Sequence, residues 1–169
     1  AGDDMSGLVA TFVNSASLVP SLPRLTAGIA CHHFTWELIR RSRAFAAHLI
    51  DEETIDLAWR FGLDSGRRVR KYDGIGWHPG PSGSPILDRA LAWVDCTLEA
   101  DFDTGDRSIF LGAVIDGGVT RPGTPLSANR LFALATPEQV QRMDGARVRD
   151  ERIDEAALLS WRAARSRQP

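Results

Sequence analysis

Apolar positions along this chain recur in short runs broken by proline, glycine and small polar residues, not in long helical stripes. The spacing predicts a strand over Gly7–Val13 and another over Leu25–Cys31, where Ala27, Gly28 and Ala30 leave the backbone open to close approach. Thr35 precedes WELIRRSR, so a short helix is expected from about Trp36 to Ser42 with Thr35 as its N-cap. Ala44–Ile50 reads as a buried strand, and Glu53–Gly62 as a helix ending at glycine. Ser65–Tyr72 is a basic loop, and Gly74–Pro85, with four glycines and three prolines, is irregular. The clearest signal is a hairpin, Leu91–Phe102 and Ser108–Asp116, turned by Asp103-Thr104-Gly105-Asp106. Arg130–Ala135 is predicted as a last strand. Two helices follow, one from Thr136-Pro137-Glu138 with Thr136 as cap and one over Asp154–Arg165. Many strands without sustained strand–helix alternation point to a closed β-architecture, not a doubly wound sheet.

Composition narrows the classes. The 169 residues suit one domain, with 43% hydrophobic and 25% charged residues and a net charge of −2. The arginines are interspersed with acids, so neither a nucleic-acid surface nor an anionic-membrane surface is expected. No apolar run reaches the ~20 residues of a membrane helix. The opening AGDDMSG is acidic and polar, so no secretory leader is expected. Cys31 and Cys96 lack CxxC spacing, which suggests neither a disulfide framework nor a zinc motif and favours a cytoplasmic setting.

Chemistry-bearing groups are few. Cys31-His32-His33 is the first place to look for metal, but neighbours on an extended strand face opposite sides, and His48 and His78 complete no paired spacing. No metal site is expected, and no catalytic dyad is assigned, because Cys31 with His33 lacks a placed orienting group. The SGRRVRK run, flanked by Asp64 and Asp73, suits a single phosphate or carboxylate better than a nucleic acid. The strongest hint combines the helix start at Thr35, whose free amides attract anions, with the hydroxyl-rich Thr11–Ser17 segment. Together they sketch a cleft with a phosphate at one end and small donors along it.

The run GLVATFVNSASLVP, then ACHHFTWELIRRSRAFAAHLI, then GPSGSPILDRALAWVDCTLEADFDTGDRSIFLGAVIDG resembles, in order, three segments of the flavin reductase-like, FMN-binding split-barrel family. The resemblance covers about Gly7 to Gly117. It implies a mainly β fold with short helices, a split β-barrel of Greek-key type, in a single domain over 1–169 with a C-terminal helical extension from about 137. It further implies that Thr11, Phe12 and Val13 border the flavin ring, that Ser15 or Ser17 serves the ribityl or phosphate portion, and that Thr35 caps the phosphate. Cys31, His32, His33 and Lys71 complete the cofactor-contacting set. Arg107 stands where the family places a histidine near the nicotinamide side, and so becomes the substrate-binding candidate.

On this resemblance the chain is an NAD(P)H:flavin reductase using FMN, with FAD as the alternative, and NAD(P)H as co-substrate. It would act as a homodimer and could serve as the reductase component of a two-component monooxygenase. Hydride passes between stacked rings, so the protein's task is positioning, and an absent acid–base dyad is compatible with it. The other readings are a non-catalytic FMN-binding electron carrier or flavin store, and a dimeric interaction module that binds no flavin.

Overall fold

The computed structural model describes residues 4–167; Ala1–Asp3 and Gln168–Pro169 lie outside the described residues. Seven strands and four helices follow in the order β1 (Val13–Ser15), β2 (Arg24–Ala30), α1 (Phe34–Ser42), β3 (Ala44–Leu49), α2 (Ile55–Gly62), β4 (Trp77–Pro79), β5 (Pro85–Leu87), β6 (Ala92–Asp103), β7 (Arg107–Val119), α3 (Ala128–Ala133) and α4 (Pro137–Arg165). A five-stranded antiparallel sheet runs in the order β1-β2-β7-β6-β3, and β4 pairs only with β5. Within the sheet β3, β6 and β7 run side by side, with the β4–β5 ribbon inserted between β3 and β6, and β7 comes to lie beside the earlier β2, which is Greek-key order.

The sheet is built as its alternation dictates. Leu25, Ala27 and Ile29 of β2 face inward, as do Ser108, Phe110 and Gly112 of β7, and they meet Ile39, Cys96 and Leu98 in one core. A second cluster, Leu57, Phe61, Tyr72, Leu87 and Ala90, seats α2 against the β4–β5 ribbon. The β6–β7 turn is Thr104-Gly105-Asp106, where Gly105 adopts φ +100°, a conformation side-chain-bearing residues rarely take. The Asp103 carboxylate accepts from the Gly105 amide at 2.8 Å.

Four expectations need correction. Gly7–Val13 is not a strand: the chain is irregular to Phe12 and pairs only over Val13–Ser15, because Leu8 is drawn into the main core while Val9 to Phe12 stay exposed. Arg130–Ala135 is not a strand but lies largely in α3, where the Ser127 hydroxyl accepts from the Arg130 amide and the Arg130 guanidinium forks onto Glu52. The two C-terminal helices are one 29-residue helix, which begins with a Thr136–Gln139 capping box and Pro137 in its first turn and contains no internal breaker stronger than Gly145. The expected closure is also missing among the described residues. β1, only three residues long before the Pro20–Pro23 turn, and β3 remain the two edges of an open sheet.

Candidate functional site

The turn from β2 into α1 organises the site. Gly28 donates its amide to Phe12 O (2.9 Å), holding the first segment against β2, and the Cys31 amide bonds Asp106 O (2.8 Å), bringing the β6–β7 turn alongside. His33, not Thr35, is the N-cap of α1, and its side chain makes no capping bond. Thr35 sits one residue inside the helix with Oγ1 3.3 Å from Ser6 Oγ. The first-turn amides of α1 therefore lack a side-chain acceptor.

A cavity of about 50 Å³ opens at this helix start, lined by Ser6, Gly7, His33, Thr35, Gly66 and Lys71 among others. It holds a group of a few heavy atoms, not a ring system. The lining is tight: a Cβ on Gly66 would lie 2.1 Å from Ser6 Oγ. Lys71 Nζ is buried and donates to Phe61 O (2.6 Å) and Gly7 O (2.8 Å), so the ammonium is fixed by two carbonyls with no carboxylate in direct contact. Burial brings its pKa down to about 8. Burial also lowers the pKa of His33, helped by the neighbouring His32 and opposed by Asp150 and Asp154.

The structure thus brings His33, Thr35 and Lys71 of the expected set to one cavity. Thr11, Phe12, Val13 and Ser15 lie on the exposed face around β1, outside that lining. Ser15 Oγ donates to Ser17 O, and Ser17 Oγ accepts from the Val19 amide at 3.0 Å, so these hydroxyls stabilise the turn before Pro20. Cys31 is half-buried, its thiol pKa raised by burial and by the Asp103 charge. Arg107 opens β7 with Nε 2.5 Å from Asp106 and NH2 3.1 Å from Asp154 of α4. His32 lies between the carboxylates of Asp150 (3.5 Å) and Asp154 (3.2 Å).

Sequence reasoning missed Ser6, Asp64 and Gly66 at the cavity, and Asp150 and Asp154 beside His32. The i, i+4 spacing of those two aspartates was the one available signal. The opposed geometry expected of His32 and His33 is also corrected: they lie in a turn, with ring centroids 4.4 Å apart.

An open antiparallel sheet with Greek-key order and a small cavity at a helix start, walled in part by a buried lysine, define a mainly β protein with a candidate anion-binding pocket. More narrowly, the chain belongs to the family described as "Flavin reductase like domain", which matches residues 1–156. It is 32% identical over 128 residues to the high molecular weight rubredoxin of Moorella thermoacetica, covering 75% of this chain and 55% of that one. It is 36% identical over 80 residues to the flavin-dependent monooxygenase reductase subunit HsaB of Mycobacterium tuberculosis, covering 47% and 41%. Among solved structures, flavin reductase HpaC complexed with NADP+ superposes with a TM-score of 0.65 at 29% identity, covering 75% of this chain and 79% of that one. The chain spans about half the length of these two curated relatives.

Proposed function

We propose that the protein is an NAD(P)H:flavin reductase that binds FMN, with the phosphate in the Lys71 cavity and the ring along the β1 strip. The observation that carries this reading is the buried Lys71 ammonium beside the uncapped start of α1. Together they supply a full positive charge and free backbone donors in a space sized for one phosphate. Gly66 packs so closely on Ser6 that any side chain there would push Ser6 aside, so glycine keeps this wall of the cavity in place. When bound, the flavin supplies the hydride-accepting chemistry.

The chain's own residues bind and orient. Lys71, the α1 amides and Thr35 Oγ1 would hold the phosphate, His33 and His32 would border it, and Ser15 or Ser17 would reach the ribityl portion after giving up a turn bond. Thr11, Phe12 and Val13 offer the ring a surface, with Phe12 45% and Val13 39% exposed. Cys31 lines the turn between them, and Arg107 faces the donor's phosphates. FAD would place its extra nucleotide outside this small cavity, which favours FMN.

A homodimer belongs to the same reading. Phe12, Val13, Leu18, Val19, Leu22 and Ile115 leave apolar surface uncovered, and light scattering should give twice 18.5 kDa. Delivery of reduced flavin to a monooxygenase is supported by the name of the HsaB relative. Two free cysteines, and no helix among the described residues long and apolar enough to cross a membrane, are compatible with a cytoplasmic setting.

The test is a visible-absorbance titration with FMN, followed by NADH and NADPH oxidation. Saturable binding with turnover is expected. FMN binding without oxidation of either donor would move the protein to the electron-carrier reading, and no FMN retention at micromolar concentration would overturn the proposal.

A further inference from the structure

We propose that His32, His33 and Asp150 form a divalent-metal site of the zinc class, with Asp154 as the carboxylate that orients His32. Each of the three offers one ligand atom, and all of these lie within 4.8 Å of one another, half-buried between the β2–α1 turn and α4. Around one tetrahedral zinc with bonds of about 2.0–2.2 Å, ligand atoms stand about 3.3–3.6 Å apart, so binding requires the side chains to draw together by up to about 1.5 Å, a shift that side-chain rotation can supply. Two imidazoles with carboxylate oxygen are ligands that suit zinc and its borderline neighbours, not magnesium or calcium.

A second observation points the same way. Neither ring nitrogen of His32 is exposed, and neither has a hydrogen-bond partner of acceptable geometry, although a carboxylate oxygen stands 3.2 Å from Nδ1 and another 3.5 Å from Nε2. Asp154 Oδ1 is likewise buried and unpartnered. Buried polar groups left in this state are costly, and native structures satisfy nearly all of them. A metal on Nε2 resolves all three. It takes the Nε2 lone pair, leaves the proton on Nδ1 to donate to Asp154 Oδ1 after a small ring rotation, and draws in one Asp150 oxygen. That is the carboxylate–histidine–metal arrangement by which a second carboxylate fixes tautomer and ring orientation.

The neighbouring cations leave room for it. Arg149 engages Asp150 only through Oδ1, at 3.1 Å, from an exposed side chain, and Arg107 engages Asp154 through Oδ2, not the unpartnered Oδ1. The bound ion would clamp α4, which has no buried residue, onto the sheet. The site shares His33 with the cavity proposed for the flavin phosphate, so zinc binding is tested on flavin-free protein.

The experiment titrates chelator-treated, flavin-free protein with zinc chloride in a calorimeter and repeats the titration with cobalt(II) while following visible absorbance. One zinc per chain is expected at micromolar affinity, with cobalt d–d bands reporting nitrogen and oxygen ligation. Asp150→Asn and, separately, His33→Gln should each weaken zinc binding at least about tenfold. Circular dichroism shows that each variant is folded before it is scored. His78→Ala removes the exposed histidine that pairs with Asp88 and should change nothing. Absence of binding up to about 100 µM zinc, unchanged affinity in folded Asp150→Asn, or loss of binding in His78→Ala overturns the proposal. Failure here leaves FMN binding by the same protein untouched, so the two readings fail separately.

Discussion

If the Lys71 cavity takes the flavin phosphate as proposed, raising the pH from 7 to 10 should weaken FMN binding far more than riboflavin binding, because the Lys71 ammonium would be the charge the phosphate meets. In the free protein burial holds this lysine at about 8, against 10.5 for an exposed lysine. A phosphate dianion in the cavity restores the charged form, raising the lysine pKa in the complex toward its ordinary value. The sign follows from proton uptake. Below pH 8 the free protein already carries the proton and affinity is complete. Above pH 8 it must take one up to bind, and affinity falls until the pKa of the complex is passed.

The magnitude follows from the two values. Affinity drops by about tenfold at pH 9 and about a hundredfold at pH 10, with a ceiling near 300-fold set by the 2.5-unit gap. Riboflavin carries the same ring without the phosphate, so ring ionisation cancels in the ratio of the two dissociation constants. Fluorescence-quenching titrations of both ligands at half-unit pH steps, on wild type and Lys71→Met, provide the assay. Lys71→Met should bind FMN weakly at pH 7 and show no slope. Parallel FMN and riboflavin curves in the wild type, or a slope surviving in Lys71→Met, would refute the assignment of the cavity to phosphate.

The other outcomes are narrower. Thr35→Ala should cost less than about 0.5 kcal/mol of stability, because the residue is not the cap; it should still lower FMN affinity roughly 10- to 150-fold through a lost charged hydrogen bond, with riboflavin unchanged in the same titration. Gly105→Ala places a side chain at φ +100° and a Cβ 2.7 Å from that of Trp161, so urea denaturation should show a loss of about 1–3 kcal/mol. Arg107→Ala should raise the KM for NAD(P)H and leave FMN affinity unaltered; unchanged steady-state parameters would make the arginine a surface ion-pair member only.

What was legible in the sequence follows the strength of local rules. The β6–β7 hairpin could be read because Asp103, Thr104 and Gly105 supply the turn chemistry and the flanking residues alternate; the register shifts at Asp95/Cys96 and Leu98/Ala100 left no such mark. Thr136-Pro137 announced the start of α4 within one residue, but nothing nearby announces that the helix runs on to Arg165, since its support is distant: Arg142 on Asp64, and Trp161 against Gly105. Gly7–Val13 has strand composition, yet no neighbouring strand offers its backbone a ladder before Val13. In the site, the Thr35 helix start and Lys71 were visible as local features. The pairing of His32 with Asp150 and Asp154, more than a hundred residues away, is a tertiary event that periodicity cannot encode.

Arg107 shows how the two halves of the site constrain one another. Its guanidinium already meets two carboxylates. Burial pushes Asp106 up, but the hydrogen bonds from Arg107 and Thr104 outweigh it and hold Asp106 below the usual carboxylate range. On the proposed reading a nucleotide phosphate would therefore compete with Asp154. That competition is affordable: Arg107 is 39% exposed, and a solvent-reached pair of this kind is worth about 0.2–1 kcal/mol. A bidentate phosphate contact is worth about 1.5–3 kcal/mol. Asp106 is different, being nearly buried and also bonded to Thr104 Oγ1. It engages the Arg107 Nε edge and fixes the fork's direction, so on the proposed reading the terminal amino groups would be the ones to exchange Asp154 for the donor. On the proposed reading helix α4 would border the donor side through a contact weak enough to open, while Lys71, at the cavity lined by His33 and by no residue of α4, would hold the phosphate end.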